Sequence, residues 1–179
     1  MATFTANSIQ LGTGAQFIGT TNGLSDAPTG TIIQTAINGT TNNITANSDG
    51  SYSDLLSLSF TPRQSNSKII FSIMFNAYYH NGSSGTSQGA SYRLLRDSTS
   101  IKEGDWCFYL HNNNYPRDFY PTLSTFGFDQ PNTTSAITYK LQGRKYSGNS
   151  ANFATVFGEA QTDSVLGNSI VLKLEELSV

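Results

Sequence analysis

The chain has 179 residues and a formal net charge of −2, with 37% hydrophobic, 12% aromatic and only 12% charged residues. The charged share is about half of the ~25% usual in soluble domains, and Ser, Thr, Asn and Gly take its place, which argues against a helical protein. The longest basic cluster is Arg144–Lys145, so the cation stripe that duplex nucleic acid requires is missing. The single cysteine, Cys107, excludes an intrachain disulfide framework.

Residues 1–30 carry few apolar side chains among many Gly, Thr and Asn. They are expected to form an extended arm that another chain holds in place. The start, MATFTANSIQ, has neither a charged leader nor an apolar run, and no stretch approaches the ~20 apolar residues of a membrane helix. Synthesis in a cytoplasm without membrane insertion is the expectation. From Thr31 the pattern becomes strand-like, and residues 31–179 are expected to form one domain. TIIQTAI is a first strand, followed by a polar loop over residues 38–52. In DLLSLSFTP, Leu56, Leu58 and Phe60 alternate with Ser57 and Ser59, and Pro62 closes the strand. SKIIFSIMFNAYY places Ile69, Phe71, Ile73 and Phe75 on one face and Ile70 and Met74 on the other. Both faces are then expected to be covered, as in the inner strand of a sandwich or an oligomer.

HNGSSGTSQG is read as a loop, and ASYRLLRDS with TSIKEG as a hairpin turning at Asp97–Ser98. Residues 105–121 are read as a long loop. Further strands follow in DFYPTLSTFGFDQP, AITYKLQGRKYSG, ANFATVFGEAQ and the terminal NSIVLKLEELSV. Eight or nine short strands separated by turn residues indicate an all-β sandwich or jelly roll. A chain ending within a strand fits first and last strands that lie side by side, as in a jelly roll.

The patterns that could carry chemistry have plain alternatives. Gly85–Gly89 matches G-x-S-x-G, but an active Ser87 needs a strand-to-helix turn, and no helix follows. Cys107 and His111 are four apart, without the further ligands a zinc site needs. Glu175 and Glu176 fall on opposite strand faces, so they cannot form a glycosidase pair. No enzyme, metal or cofactor is expected. The most suggestive stretch gathers Trp106, Tyr109, His111, Asn112, Asn113, Tyr115 and Tyr120. Aromatic rings beside amides suit the stacking and hydrogen bonding of sugars, or a protein interface. The plain alternative is a loop folded on its own aromatic cluster.

Four segments in order, SYSDLLSLSFTPRQSNSKIIFSIMFNAYY, YRLLRDSTSI, DQPNTTSAITYKLQGR and NSIVLKLEEL, resemble a family encoded by many marine phages. Its members carry a jelly-roll domain similar to tumour necrosis factor and the complement globular head. The resemblance covers residues 50–179. WCFYLHNNNYPRDFYP departs from it, and the arm is similar only in composition to the leaders of phage fibre proteins. The resemblance implies a homotrimer, for which Phe75, Tyr78, Tyr139, Phe153 and Phe157 are candidates to line the threefold axis, with ordinary core as the alternative. The expectation is a virion structural protein: a trimeric tail-fibre or head-fibre tip that binds a host surface glycan or protein, attached to other virion proteins through residues 1–30. Capsid decoration or a tail adaptor is the alternative, and a polysaccharide-degrading enzyme the third reading.

Overall fold

The computed structural model describes residues 27–40, 44–45, 51–81, 86–113, 117–119, 121–145, 153–157 and 170–179. The strands among them are β1 (Ile32–Thr40), β2 (Ile44–Thr45), β3 (Ser53–Phe60), β4 (Lys68–Asn81), β5 (Thr86–Arg96), β6 (Thr99–Asn113), β7 (Arg117–Phe119), β8 (Thr122–Asp129), β9 (Ile137–Lys145), β10 (Phe153–Phe157) and β11 (Ile170–Leu177). No helix occurs among the described residues.

β4 organises the first sheet, because it is long enough to carry two strands in succession on each edge. β8 pairs along Ile69–Asn76, and β7 continues the same register along Tyr79–Asn81. On the opposite edge β11 pairs along Lys68–Phe75 and β10 along Ala77–Asn81. β1 lies outside β11, and β2 outside β10. The order is therefore β1-β11-β4-β8, continued as β2-β10-β4-β7. The second sheet has the order β3-β9-β5-β6, and every pairing is antiparallel. When β1–β2, β7–β8 and β10–β11 are each counted as one interrupted strand, eight strands run 1-8-3-6 in one sheet and 2-7-4-5 in the other. This is the strand order of a jelly roll. The chain is an all-β jelly-roll sandwich, as the strand pattern led one to expect.

The core lies between the sheets. From the first come Ile69, Phe71, Ile73, Phe75, Leu172 and Leu174; from the second, Tyr92, Leu94, Tyr139 and Leu141. Phe75 meets Tyr92 edge-to-face across the gap, with ring centroids 5.9 Å apart at 72°, the arrangement that ring quadrupoles favour. β4 buries Ile69, Phe71, Ile73 and Phe75 as predicted. Its other face is not covered among the described residues, where Met74 is exposed. In β3 a register shift between Asp54 and Leu56 turns both Leu55 and Leu56 inward.

The first and last strands lie side by side, β1 on β11. Ser178 fastens that end: its N–H donates to Thr31 O (2.9 Å) and its hydroxyl to Pro28 O (2.5 Å), while Gly30 N–H donates to Ser178 O (2.8 Å). Residues 1–26 of the expected arm lie outside the described residues. Glu176 points inward, fully buried, and holds the β3–β4 turn. Its carboxylate accepts from Arg63 N–H (2.8 Å), Gln64 N–H (3.0 Å) and the Ser67 hydroxyl (2.8 Å).

Two expected loops are largely strand. β4 and β5 leave only residues 82–85 between them, and Ser87 lies within β5, so the G-x-S-x-G match has no elbow. The expected loop over 105–121 is mostly the second half of β6, followed by β7. Its aromatics favour extended backbone, and β6 pairs with β5 through four register shifts that absorb extra residues.

Candidate recognition surface

The second sheet turns its polar side chains away from the core, and these form a connected cluster. Asp54, Gln142, Arg93 and Glu103 occupy one row across β3, β9, β5 and β6. Arg93 Nε donates to Gln142 Oε1 (2.6 Å), and Gln142 Nε2 donates to Asp54 Oδ1. Arg93 also lies 3.8 Å from Glu103, and Lys140 lies 3.2 Å from Asp54 Oδ2. Gln142 is buried, so its amide is fixed by both neighbours rather than by water. Its hydrogen bond holds the Asp54 carboxyl below the usual carboxylate range; Lys140 and Arg93 act the same way, and partial burial opposes them.

Tyr52, just before β3, stacks beside this row. Arg93 and Arg144 place their guanidinium carbons 3.9 and 4.6 Å from its ring centroid, and Arg144 Nε donates to the Ser91 hydroxyl (3.0 Å). Planar guanidinium groups stack well on aromatic faces. Arg144 is thus an exposed part of a built cluster, whereas its neighbour Lys145 is buried. A second fixed pair closes the far end of the sheet. Asp129 accepts from Arg96 (2.8 Å) and from the Tyr139 hydroxyl (2.8 Å). Burial, then the hydrogen bond to Asp129, pushes the Tyr139 phenol well above its usual range.

The suggestive aromatic stretch joins this sheet. Trp106 in β6 is opposite Ser91 in β5, which is opposite Arg144 in β9. Tyr109 is opposite Gly89 and exposed. His111, Asn112 and Asn113 end β6. Tyr115 and Tyr120, and the side chains of Trp106, His111, Asn112 and Asn113, lie outside the described residues. Sequence reasoning missed Tyr52, Arg93, Gln142 and Arg144. Gln142 and Arg144 are two apart in a strand and so share a face, but which strand adjoins them is not legible from spacing.

The expected threefold-axis residues need correction. Phe75 and Tyr139 are enclosed in the core of a single protomer, so neither is available to an axis. Tyr78, Phe153 and Phe157 are placed in β4 and β10, with side chains outside the described residues. No group of three His, Cys, Asp or Glu that could hold a metal occurs among the described residues.

No family model and no curated protein matches the chain. Among solved structures it is similar to structures of infectious bursal disease virus. For the VP2 subviral particle the identity is 12%, over 81% of this chain and 40% of that one, with a TM-score of 0.35. For the Gt strain these values are 14%, 82%, 38% and 0.33, and for the Gx strain 11%, 80%, 37% and 0.30. The chain thus spans about two fifths of the length of these neighbours. At such TM-scores the likeness carries no functional inference, and the jelly-roll assignment rests on strand order.

Proposed function

We propose that the chain is a non-enzymatic virion structural protein of a bacteriophage, a trimeric tail-fibre or head-fibre tip whose second sheet binds the host surface. The observation that carries this is the adjacency of the aromatic run in β6 to the Arg93–Tyr52–Arg144 stack. Stacked guanidinium and phenol groups, with a fixed carboxylate and amide, offer the mixture of flat faces and directed hydrogen bonds that a glycan or protein partner requires. Residues 1–30 attach the module to other virion proteins. The ordered four-segment resemblance and the jelly-roll strand order support the virion role.

Adsorption competition tests this. Free full-length protein in excess reduces adsorption of particles carrying it, and Arg144→Ala weakens the block about tenfold or more without lowering thermal stability. Unchanged adsorption at saturating dose contradicts host binding. It would favour the second reading, a capsid decoration or tail adaptor, to which the exposed phenylalanines of β8 are suited.

A further inference from the structure

The outer face of the second sheet carries a cation that its own carboxylates do not neutralise. Among the described residues its rows place Arg93, Lys140 and Arg144 against Asp54 and Glu103. Lys140 pairs with Asp54 at 3.2 Å and Arg93 with Glu103 at 3.8 Å. Arg144 is exposed, and no carboxylate pairs with it among the described residues. The face is therefore left with a surplus positive charge, although the chain as a whole stands at −2. That surplus is fixed in place. Arg93 Nε is held by Gln142 and Arg144 Nε by Ser91. Both guanidinium groups lie over the Tyr52 ring, at 3.9 and 4.6 Å from its centroid. Two like charges gathered on one ring repel each other, and an anion seated beside them relieves that repulsion. With Nε committed to Ser91, Arg144 offers its terminal amino groups to a ligand, and such a planar fork matches a carboxylate.

We infer that this site binds a carboxylated sugar, of the uronic-acid kind, in a host surface polysaccharide. The inference rests on the host-binding reading above and names its ligand class. The size of the surplus selects a monoanion. A phosphate monoester, with close to two negative charges at neutral pH, would overbalance it and meet Asp54 and Glu103 as well. The flat faces select a sugar over a free anion. Tyr52 lies under the guanidinium groups, and Trp106 of β6 shares the row of Ser91 and Arg144. Aromatic rings beside polar groups suit the C–H face of a pyranose next to its carboxylate. The position suits display. Ile137, which begins β9, pairs with Phe60 beside the turn that Glu176 holds. Residues 1–30 enter at this end, where Gly30 bonds Ser178. Arg144 lies at the opposite end of β9, away from the arm.

The test is binding of the full chain to an array of carboxylated, sulfated, phosphorylated and neutral oligosaccharides. Galacturonate, glucuronate, mannuronate and guluronate oligomers are included, each with its carboxyl-reduced counterpart. The expected result is binding to at least one uronate oligomer and about tenfold or more loss with its reduced counterpart. Arg144→Gln is expected to lose as much without a lower melting temperature. Arg144→Lys also weakens binding, because an ammonium keeps the charge but not the fork. Ser91→Ala, which frees Arg144 Nε and leaves its charge, weakens binding by a smaller factor. It serves as the second variant if those at Arg144 fail to fold. Preference for sulfated or phosphorylated oligosaccharides, equal binding of the reduced counterparts, or parent-like affinity in folded Arg144→Gln overturns the inference. So does the absence of binding to every uronate oligomer. Adsorption competition separates this failure from that of the broader reading. If the free protein still blocks adsorption, host binding stands and only the carboxylate ligand falls; if it does not, both fall.

Discussion

A carboxylate buried in a small sandwich needs hydrogen-bond donors, and Glu176 has three, supplied by Arg63, Gln64 and Ser67. Leaving such donors without an acceptor costs about 1–3 kcal/mol each, with partial relief from relaxation. Glu176→Ala is therefore expected to lower stability by about 3 kcal/mol in urea unfolding, and Glu176→Gln, which keeps one acceptor oxygen, by less. Asp54 gives a pH signature instead. Its folded pKa is depressed, so its contribution is present above the ordinary carboxylate range and is lost as pH falls through the folded value. The site is half exposed, which limits the effect to under about 1 kcal/mol. Asp54→Asn is expected to flatten that part of the acid limb in thermal melts across pH 2–6. The sequence shows that Glu175 and Glu176 must face opposite ways. That one pairs with Lys173 on the surface while the other anchors a turn depends on the strand neighbours, which spacing does not reveal.

At the level of elements, β8 shows how a strand is set by its partner. Its inward positions are Leu123, Thr125, Gly127 and Asp129, and Gly127 lies opposite Phe71. A Cβ at Gly127 would overlap the Phe71 ring, with Cε2 at 2.9 Å. Phe71 is buried in the core, so the ring has little room to yield. Gly127→Ala is expected to destabilise by about 1–3 kcal/mol, read from the shift in unfolding midpoint; an unchanged midpoint would show that the ring moves freely. Strand periodicity was legible for β3, β4 and β11, where large aliphatic residues alternate. It was less so for β6, whose aromatic and amide residues look like a loop until the pairing with β5 is known. The hairpin at Asp97–Ser98 was legible because Asp tolerates positive φ, and Asp97 adopts 52°.

For the whole molecule, the two outer faces differ in chemistry. One carries matched charges and a stacked Tyr52; the other carries the exposed Phe126, Phe128 and Met74. An all-β sandwich or jelly roll with adjacent first and last strands was legible because many short strands restrict the topologies available, while the full strand order was not. The faces were not, because each is assembled from strands distant in sequence. For the same reason Phe75 and Tyr139 were expected at an axis. Alternation shows that a side chain shares a face with its neighbours, but not whether the other sheet or another copy covers that face.

The most direct test of the proposed trimeric assembly is sedimentation equilibrium of the purified full chain over a hundredfold concentration range. The prediction is a single species of three times the chain mass. A species of one chain mass at every concentration contradicts it.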